Sequence, residues 1–191
     1  MKGKLRWVIV SLVALATIIN YIDRGALAVL WPEISADVGM TKTDYAIIIN
    51  VFTFAYAFGQ TLFGKIFDWI GTRLGFVLAI GVWSVATMLH AISHSLLTFS
   101  IFRGLLGVSE AGNWPGATKA NAEWFPIKER AFAQGIFNSG AAIGVIGVLI
   151  IVQSGRVDDV RIEIRDGVDE DDGIVDDDAD QHGHRRRARG L

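Results

Sequence analysis

The stretch Trp7–Trp31, WVIVSLVALATIINYIDRGALAVLW, decides the structural class of this chain. It is apolar except around Asn20–Arg24, NYIDR, where an acid and a base stand side by side. An apolar stretch of about 20 residues can cross the ~30 Å hydrocarbon core of a bilayer as a helix. We therefore predict a membrane-spanning helix, span 1, over residues 7–30, with two ionisable groups inside it.

The charges within span 1 indicate a function. A charge at the middle of a bilayer costs roughly 2.5–3.5 kcal/mol on insertion scales, so such residues usually face a cavity and mark an ion or substrate path. We interpret Asp23 and Arg24 as part of a transport site. The alternative is that the span ends at Ile22 and both charges lie among lipid headgroups. A second apolar stretch that contains Arg103 and Glu110 argues against this alternative.

Four further apolar stretches follow span 1. They predict spans 2 to 5 at about residues 45–63, 74–91, 96–117 and 131–152. Residues 1–152 are thus predicted to be an all-α transmembrane domain. Lysine and arginine flank the spans mainly on the side of the N-terminus. The positive-inside rule therefore predicts a multi-pass protein of the inner membrane with a cytoplasmic N-terminus.

The composition changes after Val152. Residues 1–152 carry a net charge of +3, whereas residues 153–191 carry −5 and include the acidic runs 169–172 and 176–178. This composition cannot bury a core and predicts a disordered charged tail. His182 and His184 in that tail are weak ligands without fixed geometry, and the chain has no cysteine. We expect no metal site and no cofactor.

Helical spacing predicts which polar groups meet. Asn20 and Arg24 are four residues apart and share a face of span 1. Arg103 and Glu110 are two turns apart on span 4, where Gly107 is expected to leave the space between them open. Because the two spans run in opposite directions, the charges of span 1 should reach a depth similar to that of Arg103, with Glu110 nearer the cytoplasm.

The chemistry of these groups suggests a division of roles. Arginine presents a planar fork that grips a carboxylate by two parallel hydrogen bonds, so Arg24 or Arg103 would hold an organic anion. Asp23 and Glu110, removed from water, would favour their protonated forms and become candidate proton carriers. The alternative is that the four residues form structural ion pairs that lock spans 1 and 4 together.

Residues 64–73, GKIFDWIGTR, contain a pattern typical of a known family. They resemble the signature G-x-x-x-D-x-x-G-x-R between spans 2 and 3 of major facilitator superfamily transporters. The resemblance implies a cytoplasmic gate at Gly64, Asp68, Gly71 and Arg73. In that gate Asp68 would meet a helix N-terminus and Arg73 would help to close the inner side.

Residues 20–24, 110–116 and 123–130 are similar to the anion:cation symporter branch of that superfamily, which includes hexuronate and galactonate carriers. The likeness implies proton-coupled symport of sugar acids such as hexuronates, with Asp23 and Glu110 as the protonated carboxylates. It implies a sugar-acid site lined by Tyr21, Arg24, Tyr56 and Arg103. The expected partners are a small organic anion, protons and the lipid bilayer, with no nucleic acid.

The likeness covers residues 1 to about 148. Such transporters have two six-helix halves with the substrate between them. The resemblance therefore implies an incomplete N-terminal half that lacks span 6 and the second half. We expect such a fragment to be inactive alone and residues 153–191 to be out-of-frame translation. A different interpretation is a small membrane-embedded interaction protein with an acidic docking tail. The sequence shows no nucleophile–base pair, so we do not expect an enzyme.

Overall fold

The computed structural model describes residues 2–154, and these residues form helices with no strand among them. The helices are α1 (Lys2–Val38), α2 (Lys42–Leu89), α3 (Leu96–Glu110), α4 (Asn113–Trp124) and α5 (Ile127–Ser154), with a 3₁₀ turn at His90–Ile92 after α2. The predicted all-α fold is confirmed. The predicted disordered tail lies, apart from its first two residues, outside the described residues. Residues up to Val148 belong to one compact unit.

Helix α2 is two spans joined at a glycine. Its 48 residues correspond to roughly 70 Å of helix, more than twice the thickness of a hydrocarbon core. Gly71 interrupts it with φ 79° and ψ 168°. We call the two parts α2a (42–70) and α2b (72–89). The interruption lies between predicted spans 2 and 3, and α2a continues for about two turns beyond the predicted end of span 2.

Predicted span 4 is divided into α3 and α4 by a local irregularity at Ala111–Gly112. The amide of Gly112 donates to the carbonyl of Ser109, three residues back, at 3.2 Å. Pro115 explains the change, because it has no N–H and its ring crowds the carbonyl of residue i−4, which is Ala111. Ala111 and Gly112 keep right-handed helical angles, with φ of −58° and −64°. The side chains of α3 and α4 therefore continue one helical register.

Hydrogen-bonded caps start the helices after loops. Thr41 and Asp44 form a reciprocal capping box at the start of α2, in which the Asp44 carboxylate accepts from the Thr41 amide at 2.8 Å. Ser95 and Thr98 form the same arrangement at the start of α3. Each box satisfies amide donors that the first turn of a helix leaves without a partner.

Glycines bring the helices into backbone contact. A Cβ atom at Gly107 of α3 would lie 2.6 Å from the carbonyl oxygen of Phe52 on α2a, and one at Gly140 of α5 would lie 2.6 Å from that of Ala14 on α1. Small residues allow such close packing between membrane helices. The expectation that Gly107 leaves an open space between Arg103 and Glu110 is wrong, because the α2a backbone fills that space.

The outward faces of the helices are apolar. Side chains such as Phe54 (77% exposed) and Val77 (65% exposed) point away from the bundle. Three helical segments are long and apolar enough to cross a membrane, namely Lys4–Val38, Lys42–Ile92 and Ile127–Ser154. Apolar exteriors suit a lipid environment, whereas a water-soluble protein rarely exposes such continuous apolar surface.

Gly71 and Gly64 provide a matched test of the interruption in α2. The angles of Gly71 lie in a region that is essentially restricted to glycine, so Gly71→Ala should lower the free energy of unfolding by about 1–3 kcal/mol. Gly64→Ala should be tolerated, because a Cβ atom there would meet no atom within 4 Å. Thermal unfolding of the detergent-solubilised variants measures the difference. Equal stability of the two variants would contradict this account of the interruption.

Candidate functional site

A buried ion pair joins α1 to α3. The Nε atom of Arg24 lies 2.8 Å from Oε2 of Glu110, whose side chain is completely buried. The pair links a residue predicted to bind substrate with a residue predicted to carry a proton. It also fits the alternative in which these charges lock the two helices together. In either role, the carboxylate is paired with a guanidinium that compensates its charge in an apolar environment.

Aromatic rings surround the Arg24 guanidinium. Its Cζ atom lies 4.4 Å from the ring centre of Tyr56, 5.1 Å from that of Tyr21 and 5.6 Å from that of Phe52. The faces of aromatic rings attract cations at such distances. The structure therefore places Tyr21 and Tyr56, both predicted to line the site, directly around Arg24.

Arg103 also contacts the Phe52 ring. It is only 4% exposed, its Cζ atom lies 5.0 Å from the Phe52 ring centre, and its Nη2 atom donates to the backbone carbonyl of Arg24 at 3.3 Å. Phe52 thus contacts both guanidinium groups, and the sequence analysis missed it. Its spacing of four residues from Tyr56, with the two rings stacked at 5.9 Å, is the signal that could have identified it.

Asp23 faces a different space from Arg24. Consecutive residues of a helix point about 100° apart, so adjacent charges on α1 diverge. Asp23 lines a cavity of about 450 Å³, together with Arg103 and Leu106 of α3 and His90 beyond α2b. Arg103 therefore connects Asp23 to the pair formed by Arg24 and Glu110. The six predicted site residues lie around one region of the bundle, while their individual roles stay predictions.

Two buried amides lie beside the ion pair. Thr17, Asn20 and Asn113 are completely buried, and the Nδ2 atom of Asn113 donates to Oγ1 of Thr17 at 2.9 Å. The sequence analysis included Asn20 in the polar cluster but gave no role to Thr17 or Asn113. Their spacing could have identified them. Thr17 precedes Asn20 by three residues and Asn20 precedes Arg24 by four, and Asn113 follows Glu110 by three; these are the intervals of one helix face.

The predicted gate residues lie at the junction of α2a and α2b. Asp68 pairs with Lys119 of α4 at 2.7 Å, and the Lys119 ammonium also donates to the carbonyl of Phe67. A contact between Asp68 and a helix N-terminus is not found within residues 2–154, where its partner is this lysine side chain. Gly71 forms the interruption, while Gly64 has open space beside it and Arg73 is exposed.

Residues of the stretch 123–130 connect α5 to α1 and to the end of α4. Arg6 of α1 pairs with Glu129 at 2.9 Å. Arg130 donates to the carbonyls of Phe125 and Ala122, at 3.0 and 2.7 Å, which lie at the end of α4. These contacts satisfy carbonyl groups that the last turn of a helix leaves free. The motif therefore has a structural explanation.

Comparison with known proteins identifies the family. Residues 13–153 match the Major Facilitator Superfamily. The chain belongs to this superfamily. It is therefore a multi-pass membrane protein, as its apolar helices also indicate, and the resemblance noted in the sequence is confirmed.

Relatives in the superfamily include sugar-acid carriers. The chain is 34% identical over 145 residues to the hexuronate transporter of Escherichia coli K12, covering 76% of this chain and 33% of that protein. It is 34% identical over 143 residues to the galacturonate transporter of Dickeya chrysanthemi, covering 75% of this chain and 41% of that protein. The chain thus spans about a third of the length of the curated relatives it matches.

The fold of the superfamily is also found in solved structures. A bacterial homologue of the human lysosomal transporter Spinster, in an inward-facing and occupied conformation, superposes with a TM-score of 0.71 at 22% identity. The superposition covers 78% of this chain and 32% of that transporter. The helices α1 to α5 therefore have the arrangement of part of a major facilitator fold.

The buried and exposed ion pairs of this chain allow a controlled measurement. Removing one partner of a buried pair leaves an uncompensated charge, so Arg24→Met or Glu110→Leu alone should cost about 3–5 kcal/mol of stability. The double variant should cost much less than the sum. The control is the pair Asp68–Lys119, in which Asp68 is largely exposed; its double-mutant cycle should give no more than about 1 kcal/mol. Similar coupling energies for both pairs would refute the structural role of the buried pair.

Proposed function

We propose that the chain forms the N-terminal part of a proton-coupled symporter of sugar acids, with hexuronates as the substrate class. The observation that carries the proposal is the ion pair between Arg24 and Glu110, enclosed by aromatic rings. The printed functions of the relatives, hexuronate and galacturonate transport, support the choice of substrate. This function is transport across a membrane and not catalysis.

The substrate chemistry follows from the arginines. A hexuronate carries one carboxylate and several hydroxyl groups. The carboxylate would accept hydrogen bonds from the Arg24 guanidinium, whose fork suits bidentate binding, while Arg103, beside the same Phe52 ring, adds positive charge. The phenol groups of Tyr21 and Tyr56 would contact the sugar hydroxyls. A neutral hexose would lack the group that these arginines recognise.

Coupling to protons follows from competition for Arg24. In the structure Arg24 is bound to the Glu110 carboxylate. A proton added to Glu110 removes its negative charge and weakens this pair, so that Arg24 becomes available to the substrate carboxylate. Anion and proton would then be bound together and released together. Asp23, beside Arg103 in the cavity, is proposed as a second proton carrier.

The complete activity is proposed for a transporter that contains these helices. Transporters of this kind bind substrate between two halves, and the chain spans about a third of its relatives. We therefore expect α1 to α5 alone to show no uptake. In the complete protein the N-terminus is proposed to be cytoplasmic, in the inner membrane.

A chimera tests substrate and coupling. Residues 1–148 of this chain would replace the aligned part of the E. coli hexuronate transporter, and uptake of radiolabelled galacturonate would be measured in cells. We expect uptake that rises with the inward proton gradient and is abolished by a protonophore. Arg24→Ala should abolish uptake, and Asp23→Asn and Glu110→Gln should remove its dependence on the gradient.

The matched control for Asp23→Asn is Glu33→Gln, which removes an exposed carboxylate of the same helix that does not line the cavity and should retain gradient-dependent uptake. Immunoblots of membrane fractions establish that each variant is inserted. Gradient-independent uptake by an inserted chimera with native Asp23 and Glu110 would refute symport, and preference for a neutral hexose would refute the substrate class.

The absence of cysteine allows a direct test of orientation. Thr43→Cys places a thiol on an exposed position before span 2, and Lys128→Cys places one on an exposed position in the first turn of α5. A membrane-impermeant maleimide added to intact spheroplasts should label Cys at position 43 at once and that at position 128 only after lysis. The reverse pattern would place the N-terminus outside.

A further inference from the structure

The polar cluster contains hydrogen-bonding atoms that the ion pair does not use. Among the described residues, Asn20 Nδ2 and Oδ1, Asn113 Oδ1 and Glu110 Oε1 are buried without a hydrogen-bond partner. All three side chains are completely buried. A buried amide or carboxyl oxygen without a hydrogen-bond partner costs free energy. A second side-chain arrangement that gives these atoms partners is therefore favoured.

The orientation of the Asn113 amide is fixed by chemistry. The Thr17 hydroxyl donates its only proton to the carbonyl of Val13 at 2.9 Å, so its oxygen can only accept from a further neighbour. The Asn113 atom 2.9 Å from Thr17 must therefore be the donor Nδ2. This leaves Oδ1 of Asn113 as an acceptor. Because Asn113 follows Glu110 by three residues in one helical register, the two side chains share a face.

Asn20 lies between two links that join α1 to the helices opposite. Along the face of α1 it follows Thr17 by three residues and precedes Arg24 by four. Thr17 is bonded to Asn113, and Arg24 is bonded to Glu110. Asn20 therefore lies on the face of α1 between these two links, and its buried amide has both a donor and an acceptor without a partner.

Protonation changes what Glu110 requires. The ionised carboxylate accepts hydrogen bonds, and Arg24 supplies one to Oε2. The protonated acid instead has an O–H group, which needs an acceptor that arginine cannot provide. We propose that Asn20 and Asn113 are positioning residues whose Oδ1 atoms accept this O–H bond, so that Glu110 releases Arg24 when it takes up a proton.

The step is balanced and deepens the proposed function, on which it rests. One proton from the aqueous phase forms the O–H bond of Glu110, the hydrogen bond from Arg24 Nε to Oε2 breaks, and a hydrogen bond from the new O–H to an asparagine forms. Arg24 then carries its charge to the substrate carboxylate. Without the asparagines, the protonated acid would remain unsatisfied in an apolar environment, and the exchange would be disfavoured.

The ionisable groups around Glu110 come from three helices. They are Tyr21, Asp23 and Arg24 of α1, Tyr56 of α2a and Arg103 of α3. Residues 132–148 of α5 contain no ionisable side chain. Each of these groups also affects the charge of Glu110, so the test must report the hydrogen bond of the protonated acid itself and not only the pH at which it forms.

Infrared spectroscopy of the full chain, Met1–Leu191, in lipid nanodiscs provides this report. The difference spectrum between acidic and alkaline buffer shows the C=O stretch of buried carboxyl groups that become protonated. Glu110→Gln identifies the Glu110 band by removing it, and Asp23→Asn separates it from that of Asp23. We expect Asn20→Leu and Asn113→Leu to move the Glu110 band to higher wavenumber, because the acid loses a hydrogen bond.

Controls separate this role from a general structural one. Asn50→Leu changes an exposed asparagine of α2a and should leave the band unmoved. Asn20→Ser keeps an oxygen that can accept a hydrogen bond and should restore the band toward its original position. Asn20→Ala, which adds no bulk, is measured in parallel in case the leucine variants do not insert.

The outcomes distinguish this inference from the proposed function. A Glu110 band that stays in place in Asn20→Ala, Asn20→Leu and Asn113→Leu overturns the inference and leaves symport intact. The absence of any band that Glu110→Gln removes overturns both. A band that moves as expected supports the inference, even if the chimera prefers another substrate.

Discussion

A carboxylate buried in an apolar environment governs this structure. Glu110 has no exposed surface, and the charge on it must be neutralised either by Arg24 at 2.8 Å or by a proton. The pair links α1 to α3 across 86 positions of the sequence. The aromatic rings around Arg24 leave its side chain 23% exposed, and this partial burial strengthens its attraction to Glu110. The proposed proton-dependent transport uses these two states of Glu110, the ion-paired and the protonated state.

Glycines allow the helices around this pair to pack closely. The backbone contacts at Gly107 and Gly140 bring α3 onto α2a and α5 onto α1. Close approach compensates for the weak hydrophobic driving force between helices in lipid. Phe52 of α2a contacts both arginines, with its ring centre 5.0 Å from Cζ of Arg103 and 5.6 Å from Cζ of Arg24. The close packing of the helices therefore also sets the distances between the aromatic ring and the charged groups.

The ion pair at the junction of α2a and α2b is more exposed than the one between Arg24 and Glu110. Asp68 and Lys119 pair at 2.7 Å, but the Asp68 side chain is 73% exposed, so water competes for both charges. Such a contact forms and breaks at little energetic cost, which suits a moving part better than a fixed one. Gly71, with its positive φ, sets the direction of the chain there, and no other residue type adopts that conformation without strain.

The sequence alone determined the class of protein and the identity of its charged site. Apolar length predicted membrane helices, and spacing predicted that Arg24, Arg103 and Glu110 would share the interior. Length and period are local properties, so they can be read without coordinates. The sequence could not show that Arg24, and not Arg103, pairs with Glu110, that Asp23 faces a separate cavity, or that Phe52 and Asn113 complete the cluster. Those choices depend on the rotation and separation of helices far apart in the chain, which only tertiary packing decides.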